Sequence, residues 1–186
     1  MTKVIFGMTM SLDGFINDAD GRISILYPDH QEFGKSEIMQ EAIRDTGAVV
    51  MGRRTFELAG DPDHYAIDYE FQVPIFVITH QPPVKKPKEN EQLSFTFVDN
   101  IEDAIRMAKQ AAKGRDVSVV GGVSIGRQLL RAGLVDELQV RIMPMLLGRG
   151  QRLFEELEEL PMTLTKTRLI ETGARTDLFF AVGPPD

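Results

Sequence analysis

Three short polar segments carry residue types that could do chemistry, and each follows an apolar, β-branched run. The first, Gly122-Val123-Ser124-Ile125-Gly126, fits the G-x-S-x-G pattern of a serine nucleophile elbow, where a strained strand-to-helix turn exposes a reactive hydroxyl. Such a serine needs a general base to become nucleophilic. In the hydrolase fold that uses this elbow the histidine follows the serine, whereas His30, His64 and His80 all precede Ser124. A phosphate cradle asks for less. Gly121-Gly122 lets the backbone approach a ligand without Cβ atoms in the way. Val123, Ser124 and Ile125 then open a helix whose free N–H groups and dipole favour an anion. Alone, the two glycines could equally serve a tight turn and nothing else.

The second segment, Gly52-Arg53-Arg54-Thr55, joins a strand to a helix and offers two guanidiniums, a hydroxyl and helix N–H groups. Arginine suits forked contacts with phosphate. Thr79-His80-Gln81 adds a hydroxyl and an imidazole at a third strand end. By themselves the arginines read as a solvated pair and His80 as a surface histidine. As a set, the three segments describe a cleft for a molecule with more than one phosphate. Neither G-x-G-x-x-G nor the Walker loop occurs. Asn17–Gly21 reads as a polar turn: with Gly21 at position 6 of a calcium loop, Ile16 and Tyr27 would fall at ligand positions 1 and 12.

Elements must hold these segments in place. Strands are expected at Lys3–Met10, Ala48–Met51, Ile75–Thr79, Ser94–Val98 and Val117–Val120. Helices are expected at Lys35–Asp45, stopped by Gly47, and at Ile101–Ala112 and Ser124–Ala132, with a further one opening at Arg53. Leu138–Ile142 alternates with period two, and Leu164–Ile170 and Asp177–Val182 pair across a turn at Thr172–Arg175. Strand and helix alternate through the first 135 residues and strands close the chain. That order predicts an α/β fold with a mostly parallel sheet and an antiparallel C-terminal edge. Ligands gather beyond the carboxyl ends of such strands, where all three polar segments lie.

The 186 residues suit one domain, 1–186. A net charge of −7 with no basic block argues against a nucleic-acid partner, so an anionic ligand would be held by local arginines and oriented amides. There is no cysteine, which excludes disulfides, thiolate nucleophiles and Cys-ligated metals, and no metal site is expected. No stretch approaches the roughly 20 apolar residues of a membrane span, and no signal-peptide pattern opens the chain. A cytoplasmic setting is expected.

Met10-Ser11-Leu12-Asp13-Gly14-Phe15-Ile16, Gly52–Phe56, Val120-Gly121-Gly122, Leu129–Leu138 and Pro144–Gly150 occur in the order found in a known family. The chain resembles the dihydrofolate-reductase-like superfamily and, within it, the riboflavin-biosynthesis reductase (RibD C-terminal domain) family. The resemblance implies a three-layer fold, a central twisted sheet with helices on both faces. It implies NADPH as cofactor, a hydride passed to a small pterin- or pyrimidine-like heterocycle or a carbonyl-type carbon, and a homodimer. Gly121, Gly122, Val123, Ser124 and Ile125 would hold the pyrophosphate. Gly52, Arg53, Arg54 and Thr55 would meet the phosphates, including the 2′-phosphate, and Thr79 and His80 the adenosine end. Met8 and Thr9 would border the nicotinamide. Asp13 would deliver a proton or anchor the substrate, with Ser11, Phe56 and Tyr65 as substrate contacts and the acidic, aromatic loop Gly60–Gln72 setting substrate identity. Two features set the chain apart. Val120 stands where riboflavin reductases carry an acid, and there is no Trp such as folate reductases place near folate. Alternatives are a dihydrofolate reductase, the 5-amino-6-(5-phosphoribosylamino)uracil reductase, or a nucleotide-binding module without turnover.

Overall fold

The computed structural model describes residues 1–155, 157 and 162–183. Eight strands form a single sheet in the order β4-β3-β2-β5-β1-β6-β8-β7. They are β1 (Val4–Ser11), β2 (Thr46–Gly52), β3 (Ile75–Ile78), β4 (Phe95–Val98), β5 (Asp116–Val120), β6 (Glu137–Met143), β7 (Leu164–Thr172) and β8 (Arg175–Val182). The helices are α1 (His30–Gly34), α2 (Glu37–Asp45), α3 (Arg53–Glu57), α4 (Ile101–Ala111) and α5 (Val123–Arg131). The expected α/β class and antiparallel C-terminal strands are as found. The chain divides into two compact units, residues 1–5 with 42–135, and residues 6–41 with 136–186.

In the first unit β2 pairs in parallel with β3 and β5, and β3 with β4. Every residue of β2 and β3 is buried, as a parallel strand covered on both faces requires. Helix α4 starts at Asn100, whose side chain accepts from the Asp103 N–H at 2.8 Å, a cap that satisfies one free donor of the first turn. Ala104, Ile105 and Ala108 form its buried face. Gly47, expected as a helix stop, lies inside β2 instead. A Cβ there would stand 2.4 Å from the Ala112 carbonyl oxygen, so the glycine serves the close approach of strand and helix end.

In the second unit β8 pairs antiparallel with both β6 and β7. The two-residue turn Gly173-Ala174 joins β7 to β8, with Gly173 at φ +61°. Strand β7 forms the sheet's outer edge and its first six residues are exposed. The helix expected over 35–45 is α2, which begins at Glu37, and the short α1 precedes it. Ser36 intervenes, its hydroxyl accepting from Met39 N–H at 3.3 Å, so α2 receives a cap of its own. Loop 12–16 is laced to loop 145–153 by Leu12 N–H to Met145 O, Ile16 N–H to Gln151 O and Leu153 N–H to Gly14 O, each 2.9 Å.

Candidate functional site

Three strand ends meet on one edge of the first unit. Gly52 registers with Ile78, and Val50 with Val119, so the segments after β2, β3 and β5 emerge side by side. The parallel register decides this. Gly121 and Gly122 adopt φ +62° and +68°, a region that costs side-chain-bearing residues about 1 kcal/mol or more. A Cβ on Gly121 would lie 2.7 Å from Thr55 Oγ1. One on Gly122 would lie 3.4 Å from the Gly52 nitrogen, and one on Gly52 3.0 Å from Ile125 Cγ1. Glycine is therefore required by conformation and space at 121 and by conformation at 122, while Gly52 is tightly packed against Ile125.

Gly122 caps α5 and Gly52 caps α3 without any side-chain hydrogen bond, which leaves the first N–H groups of both helices uncapped by side chains. Ser124 is exposed, and its oxygen accepts from Gln128 Nε2 at 3.3 Å. Arg53 reaches across the edge: its Nη1 donates to Gln81 Oε1 at 3.0 Å and its Nε to Glu57 Oε1 at 2.6 Å. Arg54 is exposed and, among the described residues, forms no ion pair. Thr79 Oγ1 accepts from Gln81 N–H at 3.1 Å, which holds the turn that presents exposed His80. Open glycines, uncapped amides and an uncommitted guanidinium fit a phosphorylated ligand.

Phe56 and Tyr65 belong elsewhere. Their rings stack at 5.4 Å in a cluster with Tyr69, Phe95 and Phe97, and both are almost fully buried. Burial pushes the Tyr65 phenol up to about 12, and its hydroxyl donates to the Phe56 carbonyl at 3.2 Å. Both belong to the core of the first unit. In the loop Gly60–Gln72, Asp61 and Asp63 bind Lys85 Nζ at 2.6 and 2.9 Å.

The second unit holds the remaining residues. Met8 is half-buried, and Thr9 is buried with no partner for its hydroxyl among the described residues. Ser11 is fully buried: its hydroxyl donates to Asp13 Oδ1 at 2.6 Å and accepts from Phe15 N–H at 3.0 Å. The Asp13 carboxylate also accepts from Leu147 N–H at 3.1 Å and Gly148 N–H at 2.7 Å. The Ser11 hydrogen bond foremost, and then the two loop amides, hold Asp13 down to about 2. It is ionised at neutral pH and tethers the 147–148 loop.

A cluster that the motifs did not signal lies on this unit's sheet. Arg175 grips Asp29 with Nε at 2.8 Å and with Nη2, its guanidinium 4.2 Å above the Phe33 ring. Arg141 faces Asp177 across β6 and β8, Nε to Oδ1 3.3 Å. Burial pushes the Asp177 carboxyl up, against the pull of Arg141. Only the alternation of β6 and β8 could have placed these side chains on one face.

Among the described residues no helix is long and apolar enough to cross a membrane, and no group of three acidic or histidine side chains is placed to hold a metal. The family model described as the RibD C-terminal domain matches residues 2–176. The Bacillus subtilis (strain 168) protein YyaP is 28% identical over 178 residues, covering 92% of this chain and 90% of its own. A protein of Shewanella sp. PV-4 named for riboflavin biosynthesis superposes with a TM-score of 0.77 at 23% identity, over 98% of this chain and all of that one. Dihydrofolate reductase from Enterococcus faecalis, solved with NADP(H), superposes with a TM-score of 0.64 at 15% identity, over 98% and 97% of the two chains. The fold is that of the dihydrofolate-reductase-like proteins.

Proposed function

The chain belongs to the RibD C-terminal domain family, and on that premise we propose that it is an NADPH-dependent reductase of a small pyrimidine- or pterin-like heterocycle. The observation that carries the reading is the meeting of three glycine- or hydroxyl-marked strand ends at one sheet edge, beside the uncommitted Arg54. When bound, NADPH supplies a hydride. Gly121, Gly122 and the opening of α5 would receive the pyrophosphate, because backbone amides unobstructed by Cβ atoms stabilise it without any overall positive field. Arg54 and Arg53 would take the 2′-phosphate, and Thr79 and His80 would border the adenosine. In the second unit Met8 and Thr9 would line the nicotinamide end.

Asp13, ionised and tied to Leu147 and Gly148, acts by fixing the 147–148 loop. The proton that accompanies the hydride would then come from water or from the substrate itself. Residues 1–186 would work as a single reductase domain in the cytoplasm, as a homodimer through the strand-rich C-terminal part, which light scattering on the eluting protein would check. Titration with NADPH and NADH tests the reading: NADPH should bind about ten-fold tighter or better, given a charge-assisted phosphate contact of 1.5–3 kcal/mol. Equal affinities overturn the assignment of the arginines. Consumption of NADPH with a pterin or pyrimidine panel separates an enzyme from a binding module, which would bind NADPH and turn over none of them.

A further inference from the structure

Residues 81–92 contain Pro82, Pro83 and Pro87, and a proline has no backbone N–H to give to a neighbour. Side chains fasten this strap to the loop that follows α3. Lys85 Nζ lies 2.6 Å from Asp61 Oδ1 and 2.9 Å from Asp63 Oδ2. Lys88 meets the same Asp63 carboxylate twice, with its Nζ 3.6 Å from Oδ2 and its N–H donating to Oδ1 at 3.1 Å. Further along, Asn90 Nδ2 donates to Gln72 Oε1 at 2.9 Å. The Asp63 side chain is only 15% exposed, whereas an ordinary surface pair leaves both partners in water. Hydrogen bonding by Lys85 foremost holds Asp61 and Asp63 below the ordinary carboxylate range, so the clasp stays charged at neutral pH.

The strap begins at the cradle. Gln81 N–H donates to Thr79 Oγ1 at 3.1 Å, and Gln81 Oε1 accepts from Arg53 Nη1 at 3.0 Å. Glu57 Oε1 accepts from Arg53 Nε at 2.6 Å. Two of the three guanidinium nitrogens are thus committed, and Nη2 has no partner among the described residues. A solvated arginine loses rotamer freedom when a ligand orders it. Arg53 is already ordered, and the direction of its open nitrogen depends on where the strap holds Gln81.

We propose that Lys85 is a positioning residue: its clasp on Asp61 and Asp63 sets the strap, and through Gln81 the strap keeps Arg53 turned with Nη2 open to the 2′-phosphate of a dinucleotide. The proposal rests on the reductase reading and separates the roles of the two arginines. Arg54 supplies a charge that the ligand must order, and Arg53 supplies one ordered in advance. Lys85 acts without touching the ligand. No motif marks it, because Lys85 and Asp61 stand 24 residues apart and meet only once β2 and β3 lie side by side.

Calorimetric titration of the full chain with NADPH and with NADH tests this. Lys85→Gln should weaken NADPH binding about 3-fold to 10-fold, the cost of ordering one long side chain. It should leave NADH unchanged and hardly move the melting temperature, since the lysine is exposed. Lys85→Arg, which keeps the charge, should bind both like the unaltered chain. In an Arg53→Gln background Lys85→Gln should cost nothing more, because the residue it positions is gone. Gln81→Ala cuts the same link without touching the clasp and should reproduce the loss toward NADPH alone. Undiminished NADPH affinity in Lys85→Gln or in Gln81→Ala overturns the proposal. So does a loss shared equally by NADH, which general damage to the loop would produce, or one that persists without Arg53. The unaltered chain keeps the two readings apart: if it binds neither dinucleotide the reductase reading falls and the clasp with it, whereas NADPH binding with an indifferent Lys85→Gln defeats only the clasp.

Discussion

The two polar regions of this molecule are built on opposite principles. In the first unit the cradle is made of backbone: positive-φ glycines, uncapped helix starts and arginines left in solvent. In the second, the cluster is made of side chains, with Arg175 and Asp177 about 1% exposed and paired with Asp29 and Arg141. Exposed charges are screened and hydrated, so the cradle loses little when empty and suits a phosphate that many molecules share. Buried charges are not screened. They constrain their neighbours, because each must keep its partner.

The sharpest way to break the cradle is Gly121→Ala. It forces a Cβ against Thr55 Oγ1 at φ +62°, and the expected loss is ~100-fold in NADPH affinity and about 1–3 kcal/mol in stability. Nucleotide titration and thermal melting read the two effects. Replacing Arg54 with Gln should cost about ten-fold toward NADPH and almost nothing toward NADH, measured by paired titrations. Because its charge is exposed, the loss should shrink as salt is raised.

Acid tests the other region. Hydrogen bonding by Arg175 lowers Asp29 below the ordinary carboxylate range. A lowered folded value means stability present above the unfolded pKa of about 3.9 and lost as pH falls through the folded one. Melting temperature should therefore fall between about pH 5 and pH 2, and Asp29→Asn should flatten that slope. The smallest effect belongs to Asp13. Held to about 2, it stays ionised across the working range, so Asp13→Asn should leave the positions of the limbs of the rate profile between about pH 5 and 9 unmoved. A displaced acid limb would restore Asp13 as a proton carrier.

The cradle could be read from the sequence because each part is contiguous. Gly52-Arg53-Arg54-Thr55 and Val120-Gly121-Gly122 carry their own conformational requirement, glycine where no Cβ fits, and their own strand before them. Phe56 and Tyr65 show what contiguity leaves out. They flank the cradle in sequence, but their aromatic area drives them into the core with Phe95 and Phe97. Gly47 looked like a helix stop because glycine ends helices. The close packing against Ala112 that requires it exists only once β2 and α4 have met.

Local sequence determined the order of the elements, the period of each strand and the chemistry of the glycine turns, since these depend on neighbours along the chain. Only the tertiary structure decided which polar residues lose their water. Asp29, Arg141, Arg175 and Asp177 are ordinary surface residue types, separated by up to 148 positions (177 − 29). The pairing of β6 with β8 and the covering Phe33 bring them together. Burial is a property of the assembled fold, and it turned solvated charges into two ion pairs on one sheet face.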